Sequence, residues 1–240
     1  MDDEPEFAEA LTTDRVIKVY VGEGKPFLVQ QLLLESLSTY FARALKRDTF
    51  SEGIHGELRI EGDDRRTWQA LLHWLFKGML PAKVQEDPVR LIDLWIVGDK
   101  YGVEILQNDA MYTLLKYVDI GRGGTFLPIV TIKDGLDRTS PGTVMRKLLA
   151  QEIYHAVHSG GLVRHEDLAT WDTVGLASDL LKASDDRDKY GQFFLDRFDE
   201  EDMLWKDFML GSDGLGRDQL ASQRRNKKRI KTSFKRLRDD

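Results

Sequence analysis

The chain has no cysteine. A disulfide framework and a thiolate-ligated metal site are both excluded, and the composition fits a reducing compartment. No apolar run approaches the roughly 20 residues that span a bilayer. The opening stretch MDDEPEFAEAL is acidic and lacks the apolar core of a signal peptide. The expectation is a soluble protein of the nucleus or cytoplasm, off the membrane. Histidine is scarce, five in 240 residues. His155, His158 and His165 form the one cluster, with Glu152 three residues before His155, but nothing supplies the surrounding partners of a metal site. They read as ordinary surface or core side chains, and no metal is expected.

Signals for chemistry are equally thin. VGEGKP and IGRGGT carry glycines without a strand–loop–helix phosphate cradle, so they read as turns. DRDKYGQFFLDR places Asp186, Asp188 and Gly191 at positions one, three and six of a calcium loop. Tyr190 at position five and Arg197 at position twelve then deny it two oxygen ligands. No nucleophile stands in an elbow or triad setting. The expectation is no cofactor and no enzyme.

What is present is an ordinary globular composition, 41% apolar and 32% charged, with an uneven charge distribution. Between Arg224 and Arg238 lie nine Lys or Arg and no acid. The net charge is −6, so the remaining chain carries −15. An acidic body would repel nucleic acid on its own.

Val16–Val21 and Phe27–Val29 flank Gly22-Glu23-Gly24, a hairpin signal, and GELRIEGDD adds a third short strand through Leu58 and Ile60. Between them, VQQLLLESLSTYFARAL carries two apolar clusters divided by Glu35-Ser36-Leu37-Ser38. Two short helices, the second capped by Ser38, explain that serine better than one helix does. Trp68, Leu71, Leu72, Leu75 and Phe76 then recur at helical spacing, with Asp63 or Asp64 at the start and Gly78 and Pro81 at the stop. Asp87-Pro88 opens a helix that is apolar nearly all round. Ile105, Leu106, Ala110, Leu114, Leu115 and Val118 share one face of the next. Trp68, Trp74 and Trp95 fall on core faces and read as packing residues rather than a stacking platform for bases.

Residues 119–140 are rich in turn formers and read as a connector. Helices are expected near Pro141–His158, Trp171–Ala183 and Lys189–Phe198. From Gly211 the apolar periodicity is lost, which reads as a disordered tail. The organisation expected is an acidic N-terminus (1–14), a folded domain (15–118), the connector (119–140), a helical extension (141–210) and a basic tail (211–240).

The order of VIKVYVG, KPFLVQQLLLESLSTYFARAL, FSEGIHGELRIEGDD, WQALLHWLFKGML and LIDLWIVGDKYGVEILQNDAM resembles the BTB/POZ domain, and most closely its fungal members. DRTSPGTVMRKLLAQEI is similar to the segment after that domain in those relatives. The resemblance implies an α+β fold, a helical cluster capped by a small mixed sheet, and a protein–protein interaction function. Departures are Gln30, where many members have His, and Val16, where many animal members have Asp; homodimerisation is therefore an open expectation.

The resemblance also implies an adaptor motif, an apolar residue followed two positions later by Glu, with which some members hold a cullin ubiquitin-ligase scaffold. Phe50 and Glu52 fit it. Lys227, Lys228, Arg229 and Lys231 look like a nuclear import signal and could also meet phosphates, nucleic-acid contact being the lesser reading. Ile230, Phe234 and Leu237 are spaced for an amphipathic helix against a protein partner.

Overall fold

A computed structural model describes residues 12, 14–46, 50–121, 127–158, 163–191, 197 and 204–211. The chain is a mixed α+β protein, mostly helical, with one three-stranded sheet among the described residues. It divides into two compact units. The first takes the described residues of 12–81 and 97–103, the second those of 82–96 and 104–211. These units do not coincide with the 15–118 and 141–210 segments read from the sequence, because residues 82–96 and 104–118 group with the later part of the chain.

In the first unit, β1 (Val16–Val21) and β2 (Phe27–Gln30) form an antiparallel hairpin, in register from Val16 opposite Gln30 to Val19 opposite Phe27. Gly22 and Gly24 take positive φ in the turn, 55° and 116°, which side chains with a Cβ disfavour. β3 (Glu57–Ile60) lies parallel to β1 on its other side, so the sheet is mixed, in the order β2-β1-β3. Alternation puts Ile17, Val19, Val21, Val29, Leu58 and Ile60 on the buried face.

The divided stretch is indeed two helices, α1 (Gln31–Glu35) and α2 (Thr39–Ala44). Ser38 stands at the N-cap of α2 with extended backbone, and its carbonyl accepts from Ala42 N at 3.1 Å. Its hydroxyl makes no capping bond and is buried without a partner, so the serine marks the break without capping it. α3 (Ser51–His55) comes next, and then α4 (Arg65–Lys77). Asp64 caps α4 by accepting from Thr67 N at 2.9 Å, and Gly78 ends it in the left-handed region. Phe41, Trp68 and Tyr101 form an aromatic core, Trp68 edge-to-face with the other two rings, with ring centroids 5.4–6.2 Å apart.

α5 (Ala82–Gln85) leads to α6 (Pro88–Tyr101), which Asp87 opens by accepting from Val89 N at 3.0 Å. Residues 88–96 of this helix belong to the second unit and 97–101 to the first. α7 (Glu104–Lys116) continues into one π turn, Tyr117–Gly121. The expected connector contains a regular helix, α8 (Ile129–Arg138), which corrects the reading of 119–140. Ile132, Gly135 and Leu136 are buried on its inner side, while Lys133–Asp137 and Asp134–Arg138 pair across successive turns outside. Gly135 misled as a turn former: a Cβ there would lie 2.7 Å from Leu149 Cδ1, so it is a point of close helix approach.

α9 (Val144–His158) is the centre of the second unit, with Met145, Leu148, Leu149, Ala150 and Ile153 fully buried. α10 (His165–Ala169) is short. α11 runs over Leu176–Tyr190, later in the chain than the Trp171–Ala183 expected. Its start is delayed because Thr173 turns inward to donate to Asp137 Oδ1 at 2.5 Å and Gly175 takes φ 80°. The rest of the helix expected over Lys189–Phe198 lies outside the described residues, apart from 189–191 and Arg197. A 3₁₀ turn, Leu204–Phe208, buries Trp205 against Tyr112, with ring centroids 5.5 Å apart.

Candidate partner-binding surface

Phe50 and Glu52 lie at the start of α3, Phe50 at its N-cap and Glu52 in its first turn. Phe50 is 49% exposed and Ile54, one turn later, 57%. Four-residue spacing puts both on one side of the helix, forming a small apolar ridge. Glu52 is half-buried beside it and accepts from Ser51 Oγ at 3.0 Å. The three-residue motif in the sequence missed Ile54, because the four-residue spacing from Phe50 has meaning only on the helix that the structure shows over Ser51–His55.

So short a helix does not hold itself, since nucleation alone is unfavourable. Arg15 holds it: Nη1 donates to the Gly53 carbonyl at 2.6 Å and Nη2 to the Ile54 carbonyl at 3.0 Å. These carbonyls lie at the helix C-terminal end, where a cation is favoured. Gly53 presses against the preceding backbone, and a Cβ there would stand 1.8 Å from the Lys46 carbonyl oxygen. The neighbouring Asp14 accepts from Leu32 N at 3.0 Å, so residues 14 and 15 together tie α1 and α3 to the start of β1.

Other apolar side chains on this unit are also open to solvent. Val16 and Leu28 point away from the core on β1 and β2, at 51% and 66% exposure. Val16 lies opposite Gln30 in register, so the two departures from the resembled family face each other across one strand pair.

Beneath the surface, Asp63 gathers three donors: Trp68 Nε1 at 2.8 Å, Tyr101 Oη at 2.7 Å and Lys100 Nζ at 2.7 Å. Burial, and then the Asp63 carboxylate, hold the Tyr101 phenol well above its ordinary range. In sequence, Asp63 and Asp64 were alternative caps for α4, and Asp64 is the one that caps it. The Asp63 partner Tyr101 lies 38 residues away, which local pattern does not reveal.

The second unit carries its own buried polar groups. Arg146, 2% exposed, donates to Asp179 Oδ2 at 2.7 Å, to the Leu136 and Thr139 carbonyls at 3.3 Å and to the Val174 carbonyl at 2.6 Å. One side chain thus satisfies the end of α8 and the loop before α11. The signal was an arginine on an apolar stripe, three residues before Leu149 and seven before Ile153. Asp186, offered as a calcium ligand by the loop pattern, sits inside α11 and accepts from Gln151 Nε2 at 2.8 Å. His158 stacks on Tyr154 at 4.0 Å, and its ring lies 6.3 Å from that of His165. No group of three His, Asp or Glu among the described residues is placed to hold a metal. Lys227, Lys228, Arg229 and Lys231 lie outside the described residues.

Fold and surface together define a mostly helical α+β chain with a braced, exposed apolar ridge. No protein-family model matches the chain, and no curated protein matches it.

Proposed function

We propose that the chain is a BTB/POZ-like protein–protein interaction module that self-associates or recruits partners, in the manner of a substrate adaptor for a cullin ubiquitin ligase. The observation that carries the reading is the Phe50–Ile54 ridge, exposed yet pinned by Arg15, at the position where the resemblance expects the cullin motif. The element order adds support, with a hairpin, paired short helices, a third strand parallel to the first and then longer helices. On this reading binding is burial of complementary surfaces, about 1,200–2,000 Å² in total, with Phe50 as an anchor in a partner pocket. No bond in the partner is made or broken.

The test is co-purification with a cullin scaffold. Phe50→Ala and Glu52→Ala are expected to abolish capture with unchanged circular dichroism. Capture that survives both substitutions overturns the adaptor reading. Light scattering behind a size-exclusion column, on the full chain over a concentration series, reads self-association separately.

A second reading is a nuclear scaffold or transcription-associated protein whose tail serves import or nucleic-acid contact. The nine Lys and Arg between Arg224 and Arg238, set against an acidic remainder, favour it. DNA binding through that segment weakens with salt at a log–log slope of about −0.9 per phosphate contact. Deleting residues 224–238 removes it, and binding that survives the deletion sinks the reading.

A further inference from the structure

Where α8 passes into α9, the chain carries side-chain hydroxyls at Thr139, Ser140 and Thr143. The fold uses the two threonines. Thr139 is 7% exposed, and its Oγ1 donates to the Gly135 carbonyl at 2.7 Å, in the last turn of α8. Thr143 Oγ1 donates to the Ser140 carbonyl at 2.9 Å and accepts from Arg146 N at 3.4 Å, at the start of α9. Ser140 is exposed, and its hydroxyl makes no hydrogen bond among the described residues.

Pro141 follows, and no other Ser or Thr in the chain precedes a proline. The Ser140 carbonyl accepts from Thr143 N at 3.3 Å, and Gly142 has φ 87°. A proline at the second position and a positive φ at the third mark a type II turn, in which the proline backbone is extended. The residue before a proline is extended as well. Ser140 and Pro141 therefore run as a short extended pair, and the chain reverses only at Gly142. The loop before α11 lies close against this pair, since a Cβ at Gly175 would stand 3.5 Å from Cβ and Cγ of Pro141.

We propose that Ser140 is a phosphorylation site for a proline-directed protein kinase, and that the phosphate leaves the fold intact. The selectivity has a physical basis. A proline has no N–H, so a kinase cleft without an acceptor at that point takes Pro141 and penalises residues whose amide is left unpaired. Ser140 Oγ attacks the γ-phosphorus of ATP, and the Oγ–P bond forms as the bond to the leaving ADP oxygen breaks. The hydroxyl proton passes to the carboxylate base of the kinase. The product carries about −1.5 to −2 charge at pH 7 and three strong acceptor oxygens.

At Ser140 this charge costs the fold no hydrogen bond. The C-terminal end of α8 repels it and the N-terminal end of α9 attracts it, so the two helix dipoles oppose each other. The same group on Thr139 or Thr143 would break a bond that ends one helix or starts the other.

The experiment incubates the full chain with ATP and a recombinant proline-directed serine/threonine kinase, and locates the phosphate by mass spectrometry. The wild-type chain is expected to be labelled at Ser140, with Thr139 and Thr143 unmodified. Ser140→Ala is expected to lose that label, and Pro141→Ala to acquire it at least tenfold more slowly. The phosphorylated chain is expected to melt within about 4 °C of the unmodified one. An unlabelled Ser140, a label on Thr139 or Thr143 instead, or equal rates for wild type and Pro141→Ala overturns the proposal. So does a melting temperature lowered well beyond that span. If Pro141→Ala does not fold, the position of the label in the wild-type chain and its loss in Ser140→Ala decide.

Discussion

The Tyr101 hydroxyl donates to Asp63 Oδ2 at 2.7 Å, and the same oxygen accepts from Trp68 Nε1 at 2.8 Å. One buried carboxylate oxygen therefore orients two rings of the aromatic core. Removing the acceptor orphans both donors, whereas removing one donor leaves the rest of the arrangement intact. Asp63→Ala is expected to destabilise the chain by roughly 3 kcal/mol and Tyr101→Phe by about 1 kcal/mol, read from urea unfolding. Equal costs would mean that Asp63 does not organise this core.

The same pair gives the chain a response to alkali. Tyr101 is held above its ordinary value of 10.0, first by burial and then by Asp63. Its stabilising contribution is full below that value and is lost as pH rises beyond it, because the unfolded phenol ionises more readily. The stability difference between wild type and Tyr101→Phe is expected to hold steady through pH 9 and to shrink above pH 10. Denaturant titrations at each pH check this, and a constant difference refutes it.

Two helical glycines should respond in opposite ways to alanine. At Gly53 the new Cβ meets the rigid Lys46 carbonyl at 1.8 Å, so the backbone has to move. At Gly135 it meets the tip of a flexible leucine at 2.7 Å, and the gain in helix propensity, about 1 kcal/mol, offsets the crowding. Gly53→Ala is expected to open α3 to proteolysis between Lys46 and Gly56 and to abolish partner capture. Gly135→Ala is expected to melt within a few degrees of wild type.

Arg146 and Asp179 are 2% and 6% exposed, so either charge alone in that place is costly. Asp179→Ala is expected to cost about 3–5 kcal/mol by thermal or chemical unfolding. Arg15 acts differently, because its partners are backbone carbonyls at the surface rather than a buried charge. Arg15→Ala is expected to weaken partner capture through the ridge at a stability cost of about 1 kcal/mol. A loss of capture no greater than that of the exposed control Val130→Ala would refute the brace.

Much of the first unit was legible in sequence because its signals are local. The hairpin arises from two β-rich runs about a glycine pair, and α4 from apolar spacing with an aspartate before it. In the second unit, the Asp87-Pro88 start of α6 was legible on the same local terms. The paired short helices were legible too, although the reason assigned to Ser38 did not hold, since its hydroxyl caps nothing. α8 was missed because Gly135 carries the same letter whether it turns a chain or admits a neighbouring helix.

Alone, the sequence determined which segments alternate, which recur at helical spacing, and where Phe50 and Glu52 stand along the chain. These come from steric preferences and apolar burial acting within a few residues. Tertiary structure decided that Arg15 braces the ridge, that Asp63 serves Tyr101 rather than a helix end, and that Asp119 shares Arg197 with Glu152. Each of these joins groups far apart in the chain. The physical reason is that a buried polar atom needs a partner wherever folding brings one, and sequence separation places no limit on where that is.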